Sequence, residues 1–139
     1  MIEGQKAAFS FETFRVPKFA YNEGNHNGNE IKIKFLPSGQ YNSSNGEFEL
    51  TVQFISTDIS ESENRIMEIT AIAMFKFDEP IEPNGIPSFF YQNSIAIMFP
   101  YIRAFISTLT LQANTKLLQL GLMNLSSLEP VLRKNTIFI

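Results

Sequence analysis

The chain has 139 residues, a mass of 15.8 kDa, no cysteine and a formal net charge of −3. That length implies one domain, 1–139, able to bury about two-thirds of its unfolded surface without metal or disulfide support. A 44% hydrophobic and 18% charged composition excludes a disordered chain, and a pI near 5.2 argues against nucleic acid, which rewards a basic face.

The longest uninterrupted apolar stretch runs from Ile95 to Ile102, short of the roughly 18 residues that span a bilayer. Met1 to Lys6 lacks the basic start and apolar middle of a signal peptide. With no cysteine to form an export-type disulfide framework, the expected location is cytoplasmic, without membrane insertion.

In chain order, Phe9, Phe11 and Thr13 alternate with Ser10, Glu12 and Phe14, the period of two of a strand. Pro17 confines that strand to a sheet edge or ends its pairing there. Tyr21 to Asn29 is rich in Asn and Gly and reads as a loop. Ile31, Ile33 and Phe35 alternate with Glu30, Lys32 and Lys34, a second strand, followed by turn chemistry at Ser38-Gly39 and Asn42–Gly46. Phe48, Leu50, Val52 and Phe54 mark a third strand, and Ser56 to Asn64 is polar and turn-like. The fourth strand, Arg65 to Asp78, is apolar on both faces at its middle, which places it inside the sheet or under a cover.

Glu79 to Pro87 holds three prolines and Gly85, an irregular crossover leading to Phe89, Phe90 and Tyr91. From Ser94 apolar residues recur at three and four: Ile95, Met98 or Phe99, Ile102, Phe105 or Ile106, Leu109. Pro100 either kinks this helix or starts its best-formed part, Pro100 to Ala113, with Asn114 as the stop. Leu117 to Leu125 is an apolar connector containing Gly121. Ser126-x-x-Glu129 fits a capping box for a short helix from about Ser127 to Lys134, with Pro130 in its first turn. The predicted fold class is α+β: a four-stranded antiparallel meander covered on one face by a long helix and a short C-terminal helix.

Charge is uneven along this layout. Residues 47–82 carry nine acidic side chains against Arg65 and Lys76, whereas residues 83–128 carry only Arg103 and Lys116. Glu47, Glu49 and Glu68 are expected on the outward face of adjacent strands, either simply solvated or steering a basic partner. The charge-poor segment reads as a core helix, as a subunit contact or apolar binding surface, or as both. Tyr101, Ala104, Thr108, Leu111 and Gln112 lie off the core stripe of the helix and carry no charge. They are the expected oligomer contact, because an exposed helix face normally holds Lys and Glu.

Catalytic chemistry is scarce. His26 is the sole histidine, in an Asn/Gly-rich loop, and Asp58 and Asp78 flank expected turns. No nucleophile motif, phosphate-binding glycine loop or metal-ligand spacing occurs. The expectation is a non-enzyme without cofactor or metal.

Ile97-Met-Phe-Pro-Tyr-Ile-Arg-Ala-Phe-Ile-Ser107 resembles the helix signature of the protein-export chaperone family SecB, with Phe99, Pro100, Tyr101 and Arg103 at motif positions. Leu118 to Leu128 is similar to that family's following segment. There Asn124 matches the motif Asn, Leu122 stands where Pro is usual and Leu125 where Phe is usual. Two departures stand out: Asn114-Thr115-Lys116 replaces the usual Gly-Phe-Pro, and the tail after Lys134 is short and apolar. Members that couple to the translocation motor SecA carry a longer polar tail, so the resemblance weakens at that partner.

The resemblance implies a holdase that binds unfolded polypeptide clients through apolar grooves and assembles as a homotetramer, a dimer of dimers. Its setting would be preprotein export or a toxin–antitoxin system. It also implies a client surface in which Phe89, Phe90 and Tyr91 face Leu125, Leu128 and Leu132, the alternative being that these residues close the core. A different class of function, a non-enzymatic α+β module enclosing a small apolar ligand, stays open at this point.

Overall fold

The structure is a computed structural model that describes residues 9–26, 30–58, 61–116, 118, 120 and 123–139. Strands β1 (Phe9–Tyr21), β2 (Ile31–Asn42), β3 (Glu47–Asp58) and β4 (Glu61–Phe77) are followed by helix α1 (Ser88–Gln112). Helix α2 (Leu128–Lys134) and a short strand β5 (Thr136–Phe138) complete the order. The sheet runs β1-β4-β3-β2-β5.

The topology corrects the predicted four-stranded meander in two ways. Only β2, β3 and β4 form a meander, and β1 crosses to pair antiparallel with β4, a Greek-key arrangement. The fifth strand pairs parallel with β2, Thr136 opposite Gly39 and Phe138 opposite Tyr41, so the sheet is mixed. A single residue, Thr136, directs the tail there: its hydroxyl donates to the Leu132 carbonyl at 2.6 Å, and beyond it the Ile139 N–H reaches the Tyr41 carbonyl at 2.9 Å. β4 is interior, between β1 and β3, as its two apolar faces require.

Strand limits also move. β1 continues past Pro17 to Tyr21 because it is an edge strand, and the register shift between Arg15 and Lys18 absorbs the missing N–H. Ser38-Gly39 is strand rather than turn. A side chain at Gly39 would lie 2.5 Å from Cζ of the buried Phe48 ring, so glycine serves close approach here and not chain reversal. The reversal itself is at Asn42–Gly46, where Gly46 takes φ +75. The segment read as a turn, Ser56 to Asn64, is strand at Ser56–Asp58 and again from Glu61.

α1 starts at Ser88, well before the expected Ser94 or Pro100, so Phe89, Phe90 and Tyr91 form its first turn rather than the end of the crossover. Pro100 is tolerated in mid-helix, since the bond it forfeits is to the carbonyl of Ala96, and both residues face solvent. Asn114 ends the helix as expected. At φ 59 it lets its own N–H bond to the Leu111 carbonyl at 3.0 Å and the Thr115 N–H to the Thr110 carbonyl at 3.1 Å. Thr110 then holds the outgoing chain, its hydroxyl accepting the Leu118 N–H at 3.1 Å. Leu117, Gly121 and Leu122 of the connector lie outside the described residues.

The expected capping box on α2 does not form. Ser127 is the cap without a side-chain bond, Ser126 donates instead to Asn124 Oδ1 at 2.7 Å, and Glu129 pairs with Arg133 at 2.6 Å.

One sheet face supplies Phe48, Leu50, Val52, Phe54, Ile69, Ala71, Ala73, Phe75 and Phe77 to a core closed by the buried side of α1. Phe90 is its centre. Its ring lies 4.8 Å from those of Phe9, Phe48 and Phe77 and 5.7 Å from Phe75, so one side chain contacts β1, β3 and β4. Each such pair adds about 0.5–1.5 kcal/mol beyond area burial. Replacing Phe90 by Ala is expected to cost about 3–5 kcal/mol in urea unfolding, whereas Phe89→Ala costs less than about 1 kcal/mol; equal losses would contradict this packing.

Tyr91, beside Phe90, is buried under the Arg133 guanidinium, whose Cζ is 5.0 Å from the ring centroid. Burial pushes the Tyr91 hydroxyl above its ordinary value, Arg133 pulls it back and Glu129 raises it again. The unfolded chain therefore loses this proton at lower pH than the folded one. The associated stability is complete below about pH 10 and is lost as pH climbs through the folded value. Melting temperature measured from pH 9 to 11.5 is expected to fall less steeply in Tyr91→Phe than in the unaltered chain; parallel slopes would refute it.

Candidate polypeptide-binding surface

α1 packs on the sheet, and burial sorts the predicted residues into three groups. Toward the sheet point Phe90, Tyr91, Met98, Phe99, Ile102 and Ile106, all buried. Toward solvent point Phe89, Tyr101, Ala104, Thr108, Leu111 and Gln112. Between them, on the flank near β2, lies Arg103.

The expected client surface is therefore divided. Phe89 is 52% exposed and, with Phe9, Asn93, Ala96 and Ile97, borders an open apolar groove of about 450 Å³. Phe90 and Leu132 have no exposed surface, and Tyr91 is enclosed between α1 and α2. In this chain those three close the core, because a helix starting at Ser88 turns residue 90 inward and residue 89 outward. Leu125 and Leu128 are half-buried against the core.

All five expected oligomer-contact residues, Tyr101, Ala104, Thr108, Leu111 and Gln112, are exposed on one stripe of α1. Leu111 is 63% exposed, and Tyr101 stacks on Phe11 at 5.0 Å and Phe14 at 5.4 Å while keeping half its surface open. The stripe continues onto β1 through Phe19, 52% exposed and 5.3 Å from Phe105, a member that the sequence reading missed. Its signal was available: an apolar residue two places beyond an edge-strand proline. The exposed Ile137 and Phe138 on β5, and Ile139 after it, were also missed as surface.

Of the motif residues, Phe99 contacts Phe35 of β2 at 5.9 Å and lies 5.6 Å below the Arg103 Cζ. Asn124 organises a local turn by accepting the Ser126 N–H at 3.0 Å. On the opposite sheet face, Glu47 is registered with Lys76 and Glu68 pairs with Arg65, so two of the three outward carboxylates already have a basic neighbour. That favours solvation over steering of a basic partner. By length and composition α1 could cross a membrane, which the uninterrupted apolar run had not suggested; in this fold it is packed as the core helix of the sheet. Among the described residues no group of three or more His, Cys, Asp or Glu could hold a metal ion.

No protein-family model matches the chain, and no curated protein matches its sequence. A protein of unknown function from Streptococcus agalactiae is similar at a TM-score of 0.46, with 10% identity over 82% of this chain and 97% of that one. A stronger likeness is to Mycobacterium tuberculosis Rv1957, a SecB-like chaperone solved in complex with a ChAD peptide from the Rv1956 HigA1 antitoxin. The TM-score is 0.64, at 15% identity over 84% of this chain and 91% of that one. A mixed sheet covered by one long and one short helix, in this order, gives the chain a SecB-like fold.

Proposed function

We propose that the chain is a SecB-like chaperone, a holdase that keeps non-native polypeptide from collapsing or aggregating. The observation that carries this reading is the exposed face of α1. From Phe89 through Tyr101 to Leu111 it bears no charge, on a helix whose other side already covers the sheet. A solvated helix face holds Lys and Glu; an apolar and aromatic one awaits a protein partner. Holding an unfolded chain calls for such surface and for no catalytic group. The SecB-like fold supports the same reading, and the antitoxin peptide bound by Rv1957 supports a toxin–antitoxin client over preprotein export.

The small-ligand module finds less support: the 450 Å³ groove beside Phe89 is open to solvent, and the pocket bordered by Phe19, Phe54 and Ile69 holds about 90 Å³, too little for a typical ligand. The reading predicts that a several-fold molar excess of the protein suppresses light scattering by a chemically unfolded client after dilution. No suppression at that excess would overturn it.

The stripe Tyr101, Ala104, Thr108, Leu111 and Gln112 is assigned to subunit contact, helix against helix between two dimers. The open edge of β1 pairs with its symmetry mate within each dimer. Client contact is assigned to the remainder of that exposed face, the open groove at Phe89, and to the flank of α1 toward Leu125 and Leu128. Placing Glu at both Thr108 and Leu111 is expected to halve the mass measured by light scattering without a change in far-ultraviolet circular dichroism. A wild-type monomer at micromolar concentration would refute the assembly.

A further inference from the structure

The outer edge of β2 is paired over only part of its length. β2 keeps unbroken register with β3 from Ile31 to Asn42, whereas β5 pairs with it at Gly39–Tyr41 alone. Two bonds fix the phase of this edge. The Gly39 N–H donates to the Asn135 carbonyl at 3.2 Å, and the Tyr41 carbonyl accepts the Ile139 N–H at 2.9 Å. Backbone groups of successive strand residues turn to opposite neighbours, so odd-numbered residues of β2 face this edge and even-numbered ones face β3. Pro37 agrees, because a strand tolerates proline where the missing N–H would have pointed away from the sheet. The N–H and carbonyl groups of Ile33 and Phe35 therefore line the open edge, and among the described residues no backbone bond from another element reaches them.

β5 holds its share of the edge lightly. Its root is fixed, since Thr136 is buried and donates its hydroxyl to the carbonyl of the fully buried Leu132 at 2.6 Å. Beyond that root Ile137 and Ile139 are each 60% exposed and Phe138 is 45% exposed. These residues gain backbone bonds but little apolar burial, and such a bond contributes little net when another strand can make it instead. Thr136-Ile137-Phe138 is strand-favouring chemistry without charge. We infer that β5 is a displaceable strand, the in-chain occupant of a strand-addition edge. An extended polypeptide segment of the same chemistry, uncharged and rich in β-branched and aromatic residues, replaces Ile137–Ile139 and pairs with β2 from Ile33 to Tyr41. A second copy is not the occupant, because two β2 edges meeting antiparallel about Ile33 bring the exposed Lys32 and Lys34 of one against those of the other. This inference rests on the polypeptide-holding reading and deepens it: part of the grip is main-chain bonding, and the chain covers that edge itself when no client is held.

The test compares the unaltered chain, a deletion of Ile137–Ile139 and Ile137→Pro. The probe is a labelled peptide in which Thr alternates with Ile and Phe, and its control is the same peptide with every backbone N–H methylated. Binding is followed by fluorescence anisotropy. Both altered chains are expected to bind the probe about 10-fold more tightly than the unaltered one, the gain from removing a competitor that fills the edge about nine-tenths of the time. The methylated peptide binds all three weakly and equally. In the unaltered chain, probe binding slows hydrogen exchange at the Ile33 and Phe35 amides and quickens it at Ile139. Equal probe affinity across the three chains, undiminished binding of the methylated peptide, or an Ile139 amide that stays protected in the complex overturns the inference. The exchange measurement needs no variant, so it decides the matter even where a deletion misfolds. Any of these results with suppression of client aggregation intact removes the inference alone. Loss of that suppression in the unaltered chain, together with failure of the probe to bind any of the three, removes the holdase reading and this inference with it.

Discussion

The packing of Phe90 is the constraint on which the rest of the structure depends. Its ring meets Phe9, Phe48, Phe75 and Phe77, drawn from three strands, at the end of the sheet where α1 begins. A helix steps about 100° per residue, so turning Phe90 inward puts Phe89, one step back, outward in the first turn. Further along, Met98, Ile102 and Ile106 are buried, Arg103 lies over Phe99 on the β2 flank, and Tyr101, Ala104, Thr108 and Leu111 are exposed. At the far end Thr110 and Thr115 close the helix and Tyr21 bonds to Thr115 at 2.8 Å, which ties that end to the last residue of β1.

Two consequences follow for the surface. The helix has to cover a sheet far wider than itself, so the β1 side relies on its own aromatics, Phe11, Phe14 and Phe19, against Tyr101 and Phe105. That side ends in an open strand edge beside exposed rings, an arrangement that soluble monomers usually blunt with charge. The β2 side is finished differently. α2 and the three-residue β5 cap its end at Gly39–Tyr41, while Lys32 and Lys34 guard the remainder of the strand. The two flanks of α1 thus differ in chemistry: aromatic and uncharged toward β1, aromatic with one cation toward β2. That asymmetry gives the proposed subunit contact and the proposed client contact surfaces of different chemistry.

Much of this was legible in the chain itself. Alternation at Ile31–Phe35 and Phe48–Phe54 identified half-buried strands, the two-faced apolarity of Ile69 to Phe75 placed β4 inside the sheet, and the uncharged helix stripe was named residue by residue. Asn114 ended α1 as its tolerance of positive φ suggested. These are local properties. One face of an element meets the core and the other meets water or a partner, and the residues record that division within a few positions of one another.

What the residues could not record is which elements meet. Nothing local distinguishes β1 beside β4 from β1 beside β2; the register from Phe9–Phe77 to Tyr21–Met67 exists only once the chain has crossed the sheet. Gly39 looks like a turn residue until the Phe48 ring fills the space its missing side chain leaves, and the tail looks like a tail until Thr136 turns it along β2. Three adjacent aromatics, Phe89, Phe90 and Tyr91, are equally apolar on paper. Only the point at which α1 begins decides that Phe90 is the centre of the core and Phe89 is open to solvent, because direction around a helix is a phase, and that phase is set by the sheet it lands on.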